Sequence, residues 1–411
     1  MLQIGWVDFS KEHRKRVLTV LSFLNQRGAV DELGIGVIRD RLADILFPGT
    51  STIQTRAKYF LLVPWIMRDL EKQSLKPDLF MKKLADAENR MIDVLKASGG
   101  EGIIGEISGE RLKRKPAEIY WGGLRTYGIF QHQGLSISKY TQVAGQITKE
   151  KMTRKQMLKT EDGDYMDDRD AFGMSKLGPS WNIIEPPDNW QTELSIELNY
   201  QEAQFLKDRI ITAPGSRNAL WASILKDYSK VANKLNNFML LEPLVKEMSS
   251  IIQTDYKLAF NFSRLIHGAH IRYNMIFFRI VENEEQFAKY EDQWNQWAMD
   301  MSAFDFNNWD TEALFYRVEL RYGGTKEFIR RWVDFASKVN NLDLEVVDNL
   351  LIKREEFLKG KERSKLNKAR ELSGSYKKAI GIIDPLQFRW PNARRLLNDM
   401  LEGLEIQNDK T

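Results

Sequence analysis

Few residues in this chain could act as ligands or catalysts. It has four histidines and no cysteine, which excludes disulfides, thiolate metal sites and a cysteine nucleophile together. Two of the histidines, His267 and His270, stand three apart in LIHGAHIRYN, on neighbouring positions of one helical face. A zinc-type site needs a third and a fourth ligand. His13 and His132 lie far off in sequence, and no carboxylate stands three or four residues from the pair. The pair therefore reads as a polar contact inside a helical core, and no metal is expected. The run EDGDYMDDRD at 161–170 holds six acids and one arginine. It lacks the EF-hand glycine and terminal glutamate, so it reads as a disordered, solvated insert and not as a cation site. GEGIIG at 100–105 matches the dinucleotide fingerprint in letters. That fingerprint needs a strand before it and a helix after it, whereas here an amphipathic helix precedes, so a mobile loop is expected. No phosphate-loop lysine motif and no nucleophile elbow occur. The sequence thus points to no catalytic residue and no cofactor.

What remains is electrostatic. The stretch FPGTSTIQTRAKYFLLVPWIMR, residues 47–68, begins small and hydroxylic and ends almost wholly apolar. Read as a helix capped at Thr50, Ser51 or Thr52 and ended near Pro64, it offers the N–H groups of Gly49 to Thr52 to a phosphate, with Arg56 and Lys58 nearby. On that reading Gln54, Thr55 and Lys58 point outward, and Ile53, Ala57, Phe60 and Leu61 point in. The plainer alternative is an ordinary cap on a core helix. A second basic entry is Lys113, Arg114 and Lys115, just before Pro116, which suits a first helical position. The third spans Lys353 to Arg395, where thirteen basic residues meet five acids. Within it Phe388, Arg389, Trp390, Arg394 and Arg395 interleave aromatics with cations, as nucleic-acid contacts require. An acidic protein surface is the alternative partner for this last segment.

The elements that must position these residues are helical. Ser10 caps an expected helix carrying Val17, Val20, Leu21 and Leu24; others are expected at 35–47, over the stretch just described, and at 78–97. Helix, loop and helix with a basic entry recur within the first 130 residues, which suggests helix-turn-helix or winged-helix packing. EPPDNW at 185–190 reads as a rigid linker, and the periodicity beyond it is helical throughout. The expected organisation is a helix-turn-helix-like N-terminal domain (1–135), a helical linker with the acidic insert (136–190) and an all-α domain with a basic end (191–411). The whole chain, 411 residues with 43% hydrophobic, exceeds the size of one ordinary core. Its 61 basic and 57 acidic side chains leave a formal charge of only +4, so local distribution outweighs the sum. The longest apolar run, YFLLVPWIM, is too short to span a bilayer and contains Pro64, and the first residues have no secretory pattern. A soluble, cytoplasmic protein without membrane association is expected.

These blocks are also familiar as a set. IGWVDFS, VDELGIGVIRDRLADILFPGTSTIQTRAKYFLLVPWI, RLKRKPAEIYWGGLR, LSIELNYQEAQFLKDRI, LIHGAHIRYN and FRWPNARRLLND together resemble an uncharacterised bacterial family, the domain of unknown function numbered six-three-six-one. The resemblance runs from about residue 4 to about 400, and is weaker from 135 to 190. It implies a cytoplasmic subunit working beside helicases, phospholipase-D-like proteins and methyltransferases in phage-defence islands, and it supplies no catalytic residues. The expected function is a non-catalytic DNA-binding or adaptor subunit of an anti-phage complex, with double-stranded DNA as the favoured nucleic acid. The alternative is a scaffold that docks a helicase or nuclease through aromatics such as Tyr316, Tyr322, Trp332 and Phe335. A metal-dependent nuclease using the 161–170 acids or the two histidines ranks last.

Overall fold

The computed structural model describes residues 31–144, 180–341, 343–376 and 379–405. Its longer helices are α1 (Gly36–Leu46), α2 (Tyr59–Glu71), α3 (Pro77–Ala97), α4 (Pro116–Thr126), α5 (Tyr200–Thr212), α6 (Ser250–Ile280), α7 (Glu284–Ser302), α8 (Thr311–Arg317), α9 (Gly323–Ser337), α10 (Leu344–Lys359) and α11 (Trp390–Glu405). The protein is mainly helical, as its periodicity implies. Among the described residues there is no strand, only an isolated antiparallel bridge between Phe130 and Trp181. The helix expected after Ser10 and the acidic run 161–170 lie outside the described residues.

Helices α1, α3 and α4 fall where spacing and proline place them. The Asp31 carboxylate accepts the N–H groups of Leu33, Ile35 and Gly36 ahead of α1, and Pro116 opens α4. The exception is α2. It begins at Tyr59, not at Thr50, and runs through Pro64 to Glu71. All residues from Tyr59 to Met67 are buried, as a helix apolar all round must be. Proline forfeits one backbone bond, to the Phe60 carbonyl, and burial on every side outweighs that loss. The connections into α2 and α4 span 47–58 and 98–115, far longer than the three or four residues of a helix-turn-helix.

The chain divides into two compact units, each built from two separated stretches. The first comprises Met1–Arg41 and Asn261–Leu386. In it the indoles of Trp297 on α7 and Trp332 on α9 donate to the Arg264 and Leu265 carbonyls of α6. Arg272 pairs with Asp348 at 2.6 Å, out of solvent. The fully buried Glu355 carboxylate accepts the N–H groups of Lys365 and Leu366 and the Ser364 hydroxyl.

The second unit comprises Leu42–Phe260 and Gln387–Thr411. Helix α2 lies at its centre with α3 and α4 packed on it, and α11 lies along α5. The ring of Phe60 sits 4.8 Å from Tyr120 and 5.2 Å from Tyr127. Glu71, at the end of α2, accepts from the Tyr140 hydroxyl at 2.5 Å and the Trp181 indole at 3.1 Å. The 180–199 stretch has little regular structure but is docked: Trp65 donates to the Ile184 carbonyl and its ring lies 5.6 Å from Trp190. Gly123 lets α4 lie flush against the 47–58 segment, because a Cβ there would come within 2.5 Å of the Gly49 carbonyl and 2.6 Å of the Phe60 ring. Gly123→Ala is expected to cost about 1–3 kcal/mol, read as a lower midpoint in a urea titration; an unchanged midpoint would mean that the segment yields freely.

Candidate functional site

Because 47–58 is neither helix nor strand, its backbone groups need other partners. They find them on α4 and α11. The Tyr120 hydroxyl accepts from the N–H groups of Thr55 and Arg56 and donates to the Arg56 carbonyl. Asp399 accepts from Ala57 N–H at 2.6 Å and from Arg56 Nε at 2.9 Å. The Asn392 amide donates to the Thr52 and Gln54 carbonyls. Arg389 Nη1 donates to the Thr50 carbonyl and, at 2.6 Å, to Asp44. Arg389 and the preceding Phe388 both hold left-handed backbones, at φ 69° and 47°. For non-glycine residues that is a strained conformation, of the kind that collects at functional sites.

The hydroxyl-rich turn is therefore not a helix N-terminus. Gly49 takes a left-handed φ of 79° with its Cα against the Tyr127 ring, and Thr50 is buried with its hydroxyl on the Phe47 carbonyl. The orientations expected from a helical wheel hold for Ala57, Phe60 and Leu61, which are buried, but fail at three positions: Ile53 is exposed, whereas Gln54 and Lys58 are buried. Lys58 Nζ lies 2.6 Å from Glu202 and also donates to the Glu197 carbonyl. Arg56 is engaged by Asp399 and by the Glu101 carbonyl. Ser51 and Thr52 are at or near the surface.

In the second basic entry Lys113 and Arg114 are exposed, while the half-buried Lys115 donates to Asn89. At the chain's end Arg394 donates to the Asn233 carbonyl, and Arg395 is exposed. The basic excess of 353–395 is not one surface. It is split between the two units, and within the first Arg354 is buried while Lys359 and Lys365 pair with Glu32. Nor is the 100–105 stretch a free loop, since Ile103 and Ile104 are buried and Ile104 N–H donates to the Tyr59 hydroxyl. In the first unit, His267 Nε2 sits 3.0 Å from the Ile383 carbonyl, and burial pushes His270 down to about 3. Among the described residues no group of three histidines or carboxylates is placed to hold a metal ion.

The turn borders a cleft of about 500 Å³ in the second unit. Asp44, Ser51, Gln54, Arg125, Thr126 and Gln133 supply its polar groups, and Gly49, Gly122, Gly123 and Gly215 leave bare backbone between them. Arg125 Nη1 donates to the Gln133 carbonyl, while its Nε and the Ser51 hydroxyl are shielded from solvent without a hydrogen-bond partner. Sequence reading singled out Gly49, Thr50 and Ser51 but missed Arg125. One cation at a helix end carries no signal until the fold sets it beside a turn far away in sequence.

Two carboxylates anchor these basic segments. Asp399 is pushed up to about 6 because burial outweighs the Ala57 N–H and Arg56. Glu88 accepts Ala117 N–H at 2.7 Å beside Lys115, and burial pushes it up to about 7. Each holds its proton more tightly in the folded state than at its ordinary value, 3.8 and 4.5 respectively. Their contribution to stability is therefore full below those ordinary values and is lost as pH rises through about 6 and about 7. Asp399→Asn and Glu88→Gln should each flatten the decline in denaturation midpoint between about pH 5 and about pH 8; parallel wild-type and variant profiles would contradict this. For the buried pair, Lys58→Met leaves Glu202 without its counter-ion and should cost about 3–5 kcal/mol in a urea titration.

No curated protein and no solved structure matches the chain. A family model does match, over the block that holds α1 to α4, the turn, the Lys113 to Lys115 run and most of the cleft lining. Residues 1–158 match the model of a family of unknown function, DUF6361.

Proposed function

We propose that the second unit contacts nucleic acid, double-stranded DNA first, within a non-catalytic subunit of a bacterial anti-phage complex. The observation that carries this reading is a division among the cations of that unit. Arg56, Lys58, Arg389 and Arg394 are each tied to a partner within the fold. Lys113, Arg114 and Arg395 are exposed and form no ion pair among the described residues. Cations that serve no fold partner are the ones able to displace counter-ions from a phosphate backbone. In this reading a loop before α4 and Arg395 in the second turn of α11 carry the contact, not a recognition helix of helix-turn-helix or winged-helix type. The defence role rests on the family resemblance alone.

A second reading, a docking scaffold for a helicase or nuclease, draws support from the first unit. Tyr316 is 88% exposed and Phe357 64%, and Tyr322 is also exposed. Phe335 is half-buried and Trp332 fully buried, so those two belong to packing. Retention of a helicase or nuclease by the wild type, lost on Tyr316→Ser with Phe357→Ser, would favour this reading.

The decisive measurement is fluorescence anisotropy with a labelled duplex across a salt series. The triple variant Lys113→Ala, Arg114→Ala, Arg395→Ala should bind more weakly and lower the log–log salt slope by about 3, near 0.9 for each phosphate no longer neutralised. Equal affinity and equal slope for variant and wild type would remove the nucleic-acid reading.

A further inference from the structure

The cleft of the second unit has two features that folding does not account for. The first is Gly122. It lies inside α4 and is exposed on the cleft wall. A glycine in a helix interior is a poorer helix former than alanine, so such a position asks for a reason. Close packing is the reason at Gly123, where a Cβ would strike the Gly49 carbonyl and Phe60. At Gly122 a Cβ would meet no atom within 4 Å, and its backbone is ordinary helix. Neither packing nor backbone geometry requires glycine there, and what glycine does is keep the cleft wall bare.

The second feature is polar. Arg125 Nε and the Ser51 hydroxyl are shielded from solvent and unpartnered, although buried polar groups almost always find partners. Asp44, the acidic residue of the lining, is held by Arg389 at 2.6 Å. Arg125 forms no ion pair among the described residues, so the open charge of the cleft is its guanidinium. A guanidinium offers parallel donors that suit an oxyanion. Gln133 and Asp44 also line the cleft, and an amide and a carboxylate are groups that hydrogen-bond hydroxyls. The volume, about 500 Å³, exceeds that of a lone oxyanion and falls in the range of small-ligand sites.

We propose that this cleft binds a small phosphorylated polyol of pentose phosphate size, its oxyanion on Arg125 and Ser51, its hydroxyls toward Asp44 and Gln133, and its body against the bare helix at Gly122. Such a group could come from a free sugar phosphate or nucleotide, or from the phosphorylated end of a strand. The proposal does not rest on duplex binding by Lys113, Arg114 and Arg395.

The test is calorimetric titration of the full chain with ribose 5-phosphate, ribose and inorganic phosphate. Ribose 5-phosphate should bind saturably and ribose should not. Arg125→Gln should weaken binding by about tenfold or more, as removal of a charge-assisted hydrogen bond implies. Gly122→Leu should abolish it while melting no lower than wild type, because its side chain enters open space. Competition by a 5′-phosphorylated but not a 5′-hydroxyl oligonucleotide would assign the ligand to a strand end, and competition by neither would assign it to a free metabolite. Absence of binding by ribose 5-phosphate to the wild type, or unaltered binding to a folded Gly122→Leu variant, would overturn the proposal. Duplex affinity retained in Gly122→Leu but lost in the triple lysine and arginine variant would show that the two readings stand or fall separately.

Discussion

Residues 47–58 leave α1 and reach α2 with no regular structure, yet much of this path is buried, so its backbone groups must be paired by side chains brought from elsewhere. The Tyr120 hydroxyl takes two N–H groups and one carbonyl. Asp399, Asn392 and Arg389 engage four more. Three of these four partners come from the last stretch of the chain, and the second unit accordingly includes both Leu42–Phe260 and Gln387–Thr411. The same demand explains why a carboxylate as buried as Asp399 is present at all. Its desolvation is offset by a backbone donor and a guanidinium, incompletely, which leaves its protonation near neutrality instead of in the ordinary acid range.

Charged side chains in this protein stand in two settings, and burial separates them. Lys58 with Glu202, and Arg272 with Asp348, are internal pairs, removed from solvent and committed to the fold. Lys113, Arg114 and Arg395 stand in solvent. Between these extremes lies Arg125, one nitrogen on the Gln133 carbonyl and another unengaged. A guanidinium in that state, beside a glycine that no packing demands, is what distinguishes the cleft from an ordinary surface dimple. The turn and the cleft are one construction, since the conformation that gives Gly49 its left-handed φ and ties Thr50 to Arg389 also forms one cleft wall.

Much of the architecture was legible from periodicity and punctuation. The spacing of Ile35, Ile38 and Leu42 placed α1, and Pro77 and Pro116 mark the starts of α3 and α4 because proline has no N–H to lose there. The apolar run from Tyr59 to Met67 announced a buried element. The boundaries of that element were misread, because Gly49 to Thr52 look like a cap in isolation and Pro64 looks like a stop. The helix starts seven residues after Thr52, and its buried surroundings tolerate the proline. With the helix displaced, the helical wheel no longer applied ahead of Tyr59, and Gln54 and Lys58 went inside while Ile53 stayed out.

By itself, then, the sequence determined the helical class and the apolar core segments, and it carried the match of residues 1–158 to a family model, since these depend on local propensity and on patterns a few residues long. Only the tertiary structure decided which cations are free, which are spent in ion pairs, and which residues border the cleft. Those are long-range facts: Thr50 meets Arg389, Arg56 meets Asp399, and Lys58 meets Glu202. A basic side chain reads the same in one dimension whether its charge faces phosphate or a buried carboxylate, and the difference arises from desolvation and pairing, which exist only once the chain has closed on itself.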